Sequence, residues 1–185
     1  MSADKNPPKL KKRSRVGELS NDIEKHPDFI KIEKFAFEKF GLAAMSHRHG
    51  VFGMQQPLPP IVKYGLTFLF VQSEFGLCCP LSMTDSLTRT LTKFGDKKLI
   101  EKFFDQLTSQ DLDHLFQGAM FMTEQHAGSD VGSIDTYAEY EDGNWFLTGD
   151  KWFCSNPDAD LAMVLARHNK TISGTKGLAL FLLTK

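Results

Sequence analysis

Two short segments hold most of the side chains able to do chemistry. The first is Met122-Thr123-Glu124-Gln125-His126-Ala127-Gly128-Ser129-Asp130-Val131, which reads as a strand running into a turn of small residues. Gly128 lets backbone approach a ligand closely. Thr123 and Ser129 offer hydroxyls, and successive N–H groups in such a turn can form an anion-binding concavity. The second is Gly149-Asp150-Lys151-Trp152-Phe153-Cys154-Ser155-Asn156, with a turn at Gly149, a buried strand over Trp152-Phe153-Cys154, and a hydrogen-bond donor in Ser155. Taken singly, each is more simply read as ordinary polar loop or core. Between them Asp142-Gly143 is a tight-turn dipeptide, which predicts a hairpin from 134–141 and 144–147.

The remaining candidates are weaker. Glu124 and Asp130 read as partners of their own loop, since a short carboxylate bonds nearby backbone readily. The six histidines show no metal-ligand spacing with cysteines or carboxylates, so no metal site is expected. Lys9, Lys11, Lys12, Arg13 and Arg15 form a basic cluster, but no aromatic residue is interleaved for base stacking, and a solvated tail is the expectation. A formal net charge of −1 gives no global attraction to nucleic acid or anionic membrane. Cys78 and Cys79 are adjacent and Cys154 is distant, with no C-x-x-C spacing, which suggests a reducing, cytoplasmic setting. The first residues lack the apolar run of a secretory signal. The longest apolar stretch, Leu66 to Val71, is too short to span a bilayer.

These segments need a scaffold, and the chain supplies it in two styles. Residues 1–27 read as an extended basic arm, with Pro7-Pro8 forbidding helix. Helical spacing begins at Asp28, the expected cap, and runs to Gly41. Loop follows over 50–60, then a helix over 61–77 ended by Pro80. Another covers 82–94 with Gly95 as its stop, and a last one is capped by Asp96, with Leu99, Phe103 and Leu107 inward. From about residue 117 the period changes to strands at 119–123, 134–141, 144–147, 152–154, 161–166 and 178–183. Helices first and strands second is an α+β pattern rather than βαβ alternation. The apolar strand Leu178–Leu183 expects partners on both faces, so the β part reads as incomplete.

The two segments together, with a hairpin between them, resemble the acyl-CoA dehydrogenase family. That family pairs a T-E-x-x-x-G-S-D segment with an L-x-G-x-K-W-F/I-x-S/T-N segment. The matches here are Thr123-Glu124, Gly128-Ser129-Asp130 and Leu147 through Asn156. Asn6-Pro7-Pro8, His26-Pro27 and Leu77-Cys78-Cys79-Pro80-Leu81-Ser82-Met83-Thr84 resemble the AidB-like branch, the last of them its L-C-P-I-T-M-T segment. The departure is Gln125-His126, where many relatives have Pro-Gly.

The resemblance implies an amino-terminal α-helical domain over 28–116. The first part of an antiparallel β-barrel or sandwich domain would follow over 117–185, without the family's carboxy-terminal helical bundle. It implies FAD as cofactor, contacted by Met120, Met122, Thr123, Gly128, Ser129, Phe153, Cys154 and Ser155. Thr123 would bond the pyrimidine side of the flavin and Ser155 a position near N5. It further implies an acyl-CoA substrate, α,β-dehydrogenation, and a tetramer in the complete protein. The family's catalytic glutamate lies beyond Lys185, so no catalytic residue is assigned. Thr123→Ala and Ser155→Ala are expected to weaken flavin retention more than Glu124→Ala. Two other readings are an AidB-like flavoprotein of the DNA alkylation response and an inactive truncated copy.

Overall fold

The computed structural model describes residues 2–185. The amino-terminal arm is not a plain tail. Helix α1 (Ser2–Lys5) buries Ala3, and β1 (Lys9–Arg13) pairs antiparallel with β2 (Leu19–Glu24), Leu10 opposite Ile23. Gly17, at φ +87, closes the connection. The basic side chains of β1 stay exposed, and Ile23 is the hairpin's apolar residue turned toward the body.

Helix α2 (Pro27–Lys34) has its cap two residues earlier than the sequence suggests. His26 caps it, Nδ1 accepting the Asp28 N–H at 3.2 Å, so Asp28 sits in the first turn, where its charge meets the positive end of the helix dipole. The helix then widens into one π-turn over Phe35–Lys39, closed by Phe40 N–H to Phe35 C=O at 2.9 Å. Helix α3 (Pro60–Val71) ends well before Pro80, because the Glu74 carboxylate accepts the Gly76 N–H at 2.8 Å and turns the chain. Helix α4 (Cys78–Phe94) contains Pro80 in its first turn, where the missing N–H costs no intrahelical bond. Asp96 caps α5 (Lys97–Leu107), its Oδ1 accepting the Leu99 N–H at 2.9 Å. Helix α3 is inverted: Lys63 is its buried residue, while Ile61, Tyr64, Phe68 and Leu69 are exposed.

The sheet is mixed rather than antiparallel, and among the described residues it does not close into a barrel. Central β6 (Leu161–Arg167) has β3 (Gly118–Phe121) parallel on one side, in register from Gly118/Leu161 to Phe121/Val164. β7 (Leu178–Thr184) runs antiparallel along its whole length. β4 (Tyr137–Glu141) meets β6 in parallel through Tyr137 and Arg167, and pairs antiparallel with β5 (Asn144–Thr148) around Asp142-Gly143. The parallel pairing follows from the connection: after β3 the chain loops through the hairpin and both candidate segments, then returns to the end where β3 began. The residues predicted as a strand at 152–154 are instead irregular, because Phe153 takes φ +56.

Leu87 and Leu91 of α4, Phe103 and Leu107 of α5, and Leu161 and Met163 of β6 form one buried cluster that fastens helices to sheet. Gly118 brings the two closer still. A Cβ there would lie 3.0 Å from Thr84 Cα, and its N–H donates to Thr84 Oγ1 at 2.9 Å.

Candidate functional site

The two segments lie side by side. Residues 151–156 run back along β3 and the residues after it. The Trp152 N–H donates to Thr123 C=O at 2.8 Å. At the other end Asn156 Nδ2 donates to Gly118 C=O at 3.2 Å. Next to the Trp152 contact, Lys151 Nζ donates to Met122 C=O at 3.2 Å and to Glu124 Oε1 at 2.8 Å. Residues 151–156 are therefore held at one end by the start of the first segment and at the other by the start of β3.

Glu124 is the hub. Only 4% exposed, it accepts from Lys151, from the Asp135 N–H at 2.7 Å and from the Thr136 N–H at 3.0 Å. Burial alone would raise its pKa, but these bonds outweigh it and hold the carboxyl at about 2. So weak a base is poorly matched to removing a carbon-bound proton near neutral pH. Glu124, His126 and Asp135 bring ligand atoms within 4.8 Å of one another. The histidine spacing does not suggest this grouping, and the Lys151 ammonium sits on the same Glu124 at 2.8 Å. Asp130 serves its own turn, accepting the Gly132 N–H at 2.9 Å and the Ser133 hydroxyl.

The Gln125-His126 departure leaves an ordinary tight turn. Glu124 and Ala127 exchange both backbone hydrogen bonds, at 3.0 and 3.1 Å, with Gln125 and His126 at the corner. The two glycines differ. A Cβ at Gly149, φ +152, would lie 2.7 Å from Thr136 Cα, so the fold itself demands glycine there. A Cβ at Gly128 would meet only Thr123 Cγ2 at 3.5 Å, an ordinary contact.

Met120 faces inward, packed on the α4–α5–β6 cluster. Met122 and Thr123 are half-buried just past β3, while Gly128 and Ser129 are exposed on the loop. Phe153, expected in the core, is 81% exposed, with Trp152 edge-on to it at 6.0 Å. Cys154 and Ser155 are half-buried, and burial pushes the Cys154 thiol up.

Beside Ser155 lies a cavity of about 230 Å³. Its walls are the 155–158 loop, the start of α4 with Cys79 and Pro80, Phe29 of α2, and the hairpin through Pro8 and Ile23. Its charged groups are paired among themselves: Lys25 Nζ lies 2.9 Å from Glu33 and 3.9 Å from Asp158, and Gln117 donates to Glu33 at 3.0 Å.

A second buried cluster, which the reading of the sequence missed, lies in the helical region. Asp85 Oδ1 lies 2.8 Å from His47 Nε2, and Oδ2 is ion-paired with Lys63, beside a cavity of about 110 Å³. Burial favours a raised Asp85 pKa, but the two partners outweigh it and lower it. The visible clue was one lysine inside the apolar run from Ile61 to Val71.

The fold and the paired segments are those of an acyl-CoA dehydrogenase, and the chain belongs to the acyl-CoA dehydrogenase family. Residues 119–185 match the family's middle domain, and residues 1–114 match the adaptive response protein AidB N-terminal domain. Acyl-CoA dehydrogenase family member 11 of Caenorhabditis elegans is 38% identical over 144 residues, 71% of this chain and 23% of the relative. The putative acyl-CoA dehydrogenase AidB of Escherichia coli K12 is 30% identical over 183 residues, 89% of this chain and 31% of the relative. The crystal structure of C. elegans ACDH-11 in complex with C11-CoA superimposes with a TM-score of 0.81 at 30% identity, covering 99% of this chain and 32% of that one. The chain thus spans about a quarter to a third of the length of these relatives. No helix among the described residues is long and apolar enough to cross a membrane.

Proposed function

We propose that these residues form the amino-terminal part of an FAD-dependent oxidoreductase that desaturates a fatty acyl-CoA thioester between Cα and Cβ. The observation that carries this reading is the fastening of 151–156 along β3, from Trp152 at Thr123 to Asn156 at Gly118. It unites the two segments whose residues the family pattern assigns to the cofactor.

The residues present fit a flavin. Phe153 offers an exposed aromatic face from a left-handed backbone position. Gly128 is a glycine that packing does not require, which leaves close approach of a ligand as a reason for it. A bound flavin would supply the hydride acceptor. Thr123 would donate toward its pyrimidine edge, where reduction places negative charge, and Ser155 toward the accepting position. Lys151 and Glu124 position both by holding the two segments together. Ser129 and the neighbouring loop N–H groups would face a phosphate. The cavity beside Ser155 would take the alkyl chain, since its walls are largely apolar and its charges are already paired. The α-proton would go to a carboxylate outside these residues.

The test is the full-length protein, purified and scanned for flavin, then mixed anaerobically with straight-chain acyl-CoAs. Bleaching of the flavin band with formation of 2-enoyl-CoA is expected. A flavin-free protein, or a flavin that no acyl-CoA reduces, would sink the reading.

A further inference from the structure

The hairpin β1–β2 has no role in the chemistry above, yet it closes the cavity beside Ser155. We infer that this hairpin is a specificity wall for the alkyl chain, with Ile23 its length-determining residue; the inference rests on the acyl-CoA reading of the site. Strand β1 is exposed throughout, and Leu10 and Leu19 are exposed. Ile23 is the apolar side chain that the hairpin turns inward, and it lines the cavity with Pro8. Across the cavity stand Phe29, Cys79 and Pro80, and at its lip Ser155 and Asn156.

Three observations favour a hydrocarbon occupant. The facing side chains Ile23, Phe29 and Pro80 give a ligand no hydrogen-bonding group. Lys25, the cation in the wall, is committed to Glu33 and lies near Asp158, so an anionic end group finds no free partner there. The volume of about 230 Å³ also suits a short chain. With a methylene taking about the space of a water, ~30 Å³, it holds about eight. Ile23 reaches in from a two-stranded ribbon rather than from the packed core, so its size can change without disturbing the two paired segments.

The experiment uses the full-length, flavin-loaded protein and a series of straight-chain S-alkyl-CoA thioethers from four to sixteen carbons. These lack the carbonyl that acidifies the α-position, so binding is read without turnover. Dissociation constants are measured by calorimetry for wild type, Ile23→Ala and Ile23→Trp, with melting temperatures as a check on folding. Each methylene accepted or refused is worth about fourfold in Kd. Ile23→Ala should move the tightest-binding length upward. Ile23→Trp should move it downward by two or more carbons, with loss of at least tenfold for the longest chains. If wild type discriminates lengths but both variants weaken all lengths equally, the hairpin is structural only and the inference is overturned while the function stands. If wild type binds no thioether and is reduced by no acyl-CoA, both fall.

Discussion

The helical and sheet regions each bury a lysine–carboxylate pair, and they use it differently. Asp85 gives its two oxygens to two side chains, Lys63 and His47. Glu124 gives its oxygens to Lys151 and to two backbone N–H groups, while Lys151 also holds the Met122 carbonyl. The first pair balances charge between helices. The second is a staple that fixes three main-chain groups, those of Met122, Asp135 and Thr136. A buried ion pair of the first kind can be exchanged for apolar packing, whereas one of the second kind carries backbone bonds that no apolar side chain replaces.

The largest expected effects break that contrast directly. Asp85→Ala and Glu124→Ala should each destabilise by about 3–5 kcal/mol, because each leaves a buried lysine without its counter-charge. The double replacements should separate. Lys63→Met with Asp85→Leu should return to within about 1 kcal/mol of wild type, the remainder being the imidazole left unpaired. Lys151→Met with Glu124→Leu should stay far below, since the N–H groups of Asp135 and Thr136 and the Met122 carbonyl lose their partners. Urea unfolding of the four proteins decides it, and equal recovery of both doubles would refute the distinction. The sequence led to the expectation that Glu124→Ala would matter less to flavin retention than the loss of a hydroxyl. The hydrogen bonds around Glu124 predict the opposite order, because Glu124→Ala would release both paired segments.

Acid should sharpen the same comparison. Glu124 titrates at about 2 in the folded chain against an ordinary 4.5. A depressed carboxyl contributes stability that is complete above pH 4.5 and lost as pH falls toward 2, on the order of 3 kcal/mol for this shift. Asp85 is lowered too and acts in the same direction. Stability measured against pH should fall through that window, and Glu124→Gln should flatten the fall more than a substitution at an exposed carboxylate such as Glu139. An unchanged slope would mean that the staple is not ionic.

The glycines come next. Gly149→Ala should cost stability, about 1–3 kcal/mol, because φ +152 and the approach to Thr136 leave no room for a methyl. Gly128→Ala should leave the melting temperature nearly unchanged and reduce flavin retention instead. If Gly128→Ala proves the more destabilising, the assignment of one glycine to fold and the other to ligand is wrong.

What the sequence made legible was local. The Asp142-Gly143 turn, both residues at positive φ, and the Asp96 cap depend on neighbours within a few positions, and both are present. The paired segments were legible through their family pattern. Their mutual fastening was not, since Trp152 and Thr123 are far apart in sequence and their bond is main chain to main chain. Trp152-Phe153-Cys154 has strand composition, yet Phe153 sits at φ +56 because the segment bends along β3 instead of joining the sheet. The parallel pairing of β3 with β6 depends on where a long excursion returns, and the inverted α3 on a partner for Lys63 that lies a helix away. In each case a nonlocal contact overrode a local pattern.

The smallest expected effect tests the hydroxyls. Thr123 Oγ1 and Ser155 Oγ stand on the stapled segments, and neither is a member of the buried network around Glu124. Thr123→Ala and Ser155→Ala should therefore leave thermal stability within about 0.5 kcal/mol of wild type. Each should weaken flavin binding by about two- to tenfold, the worth of one neutral hydrogen bond at about 0.5–1.5 kcal/mol. The measurement is flavin dissociation from the full-length protein, followed by fluorescence on dilution. Glu124→Ala run beside them should lose both stability and flavin. Two hydroxyl variants that keep their flavin as tightly as wild type would leave the staple intact as structure and remove the two direct polar contacts from the cofactor site.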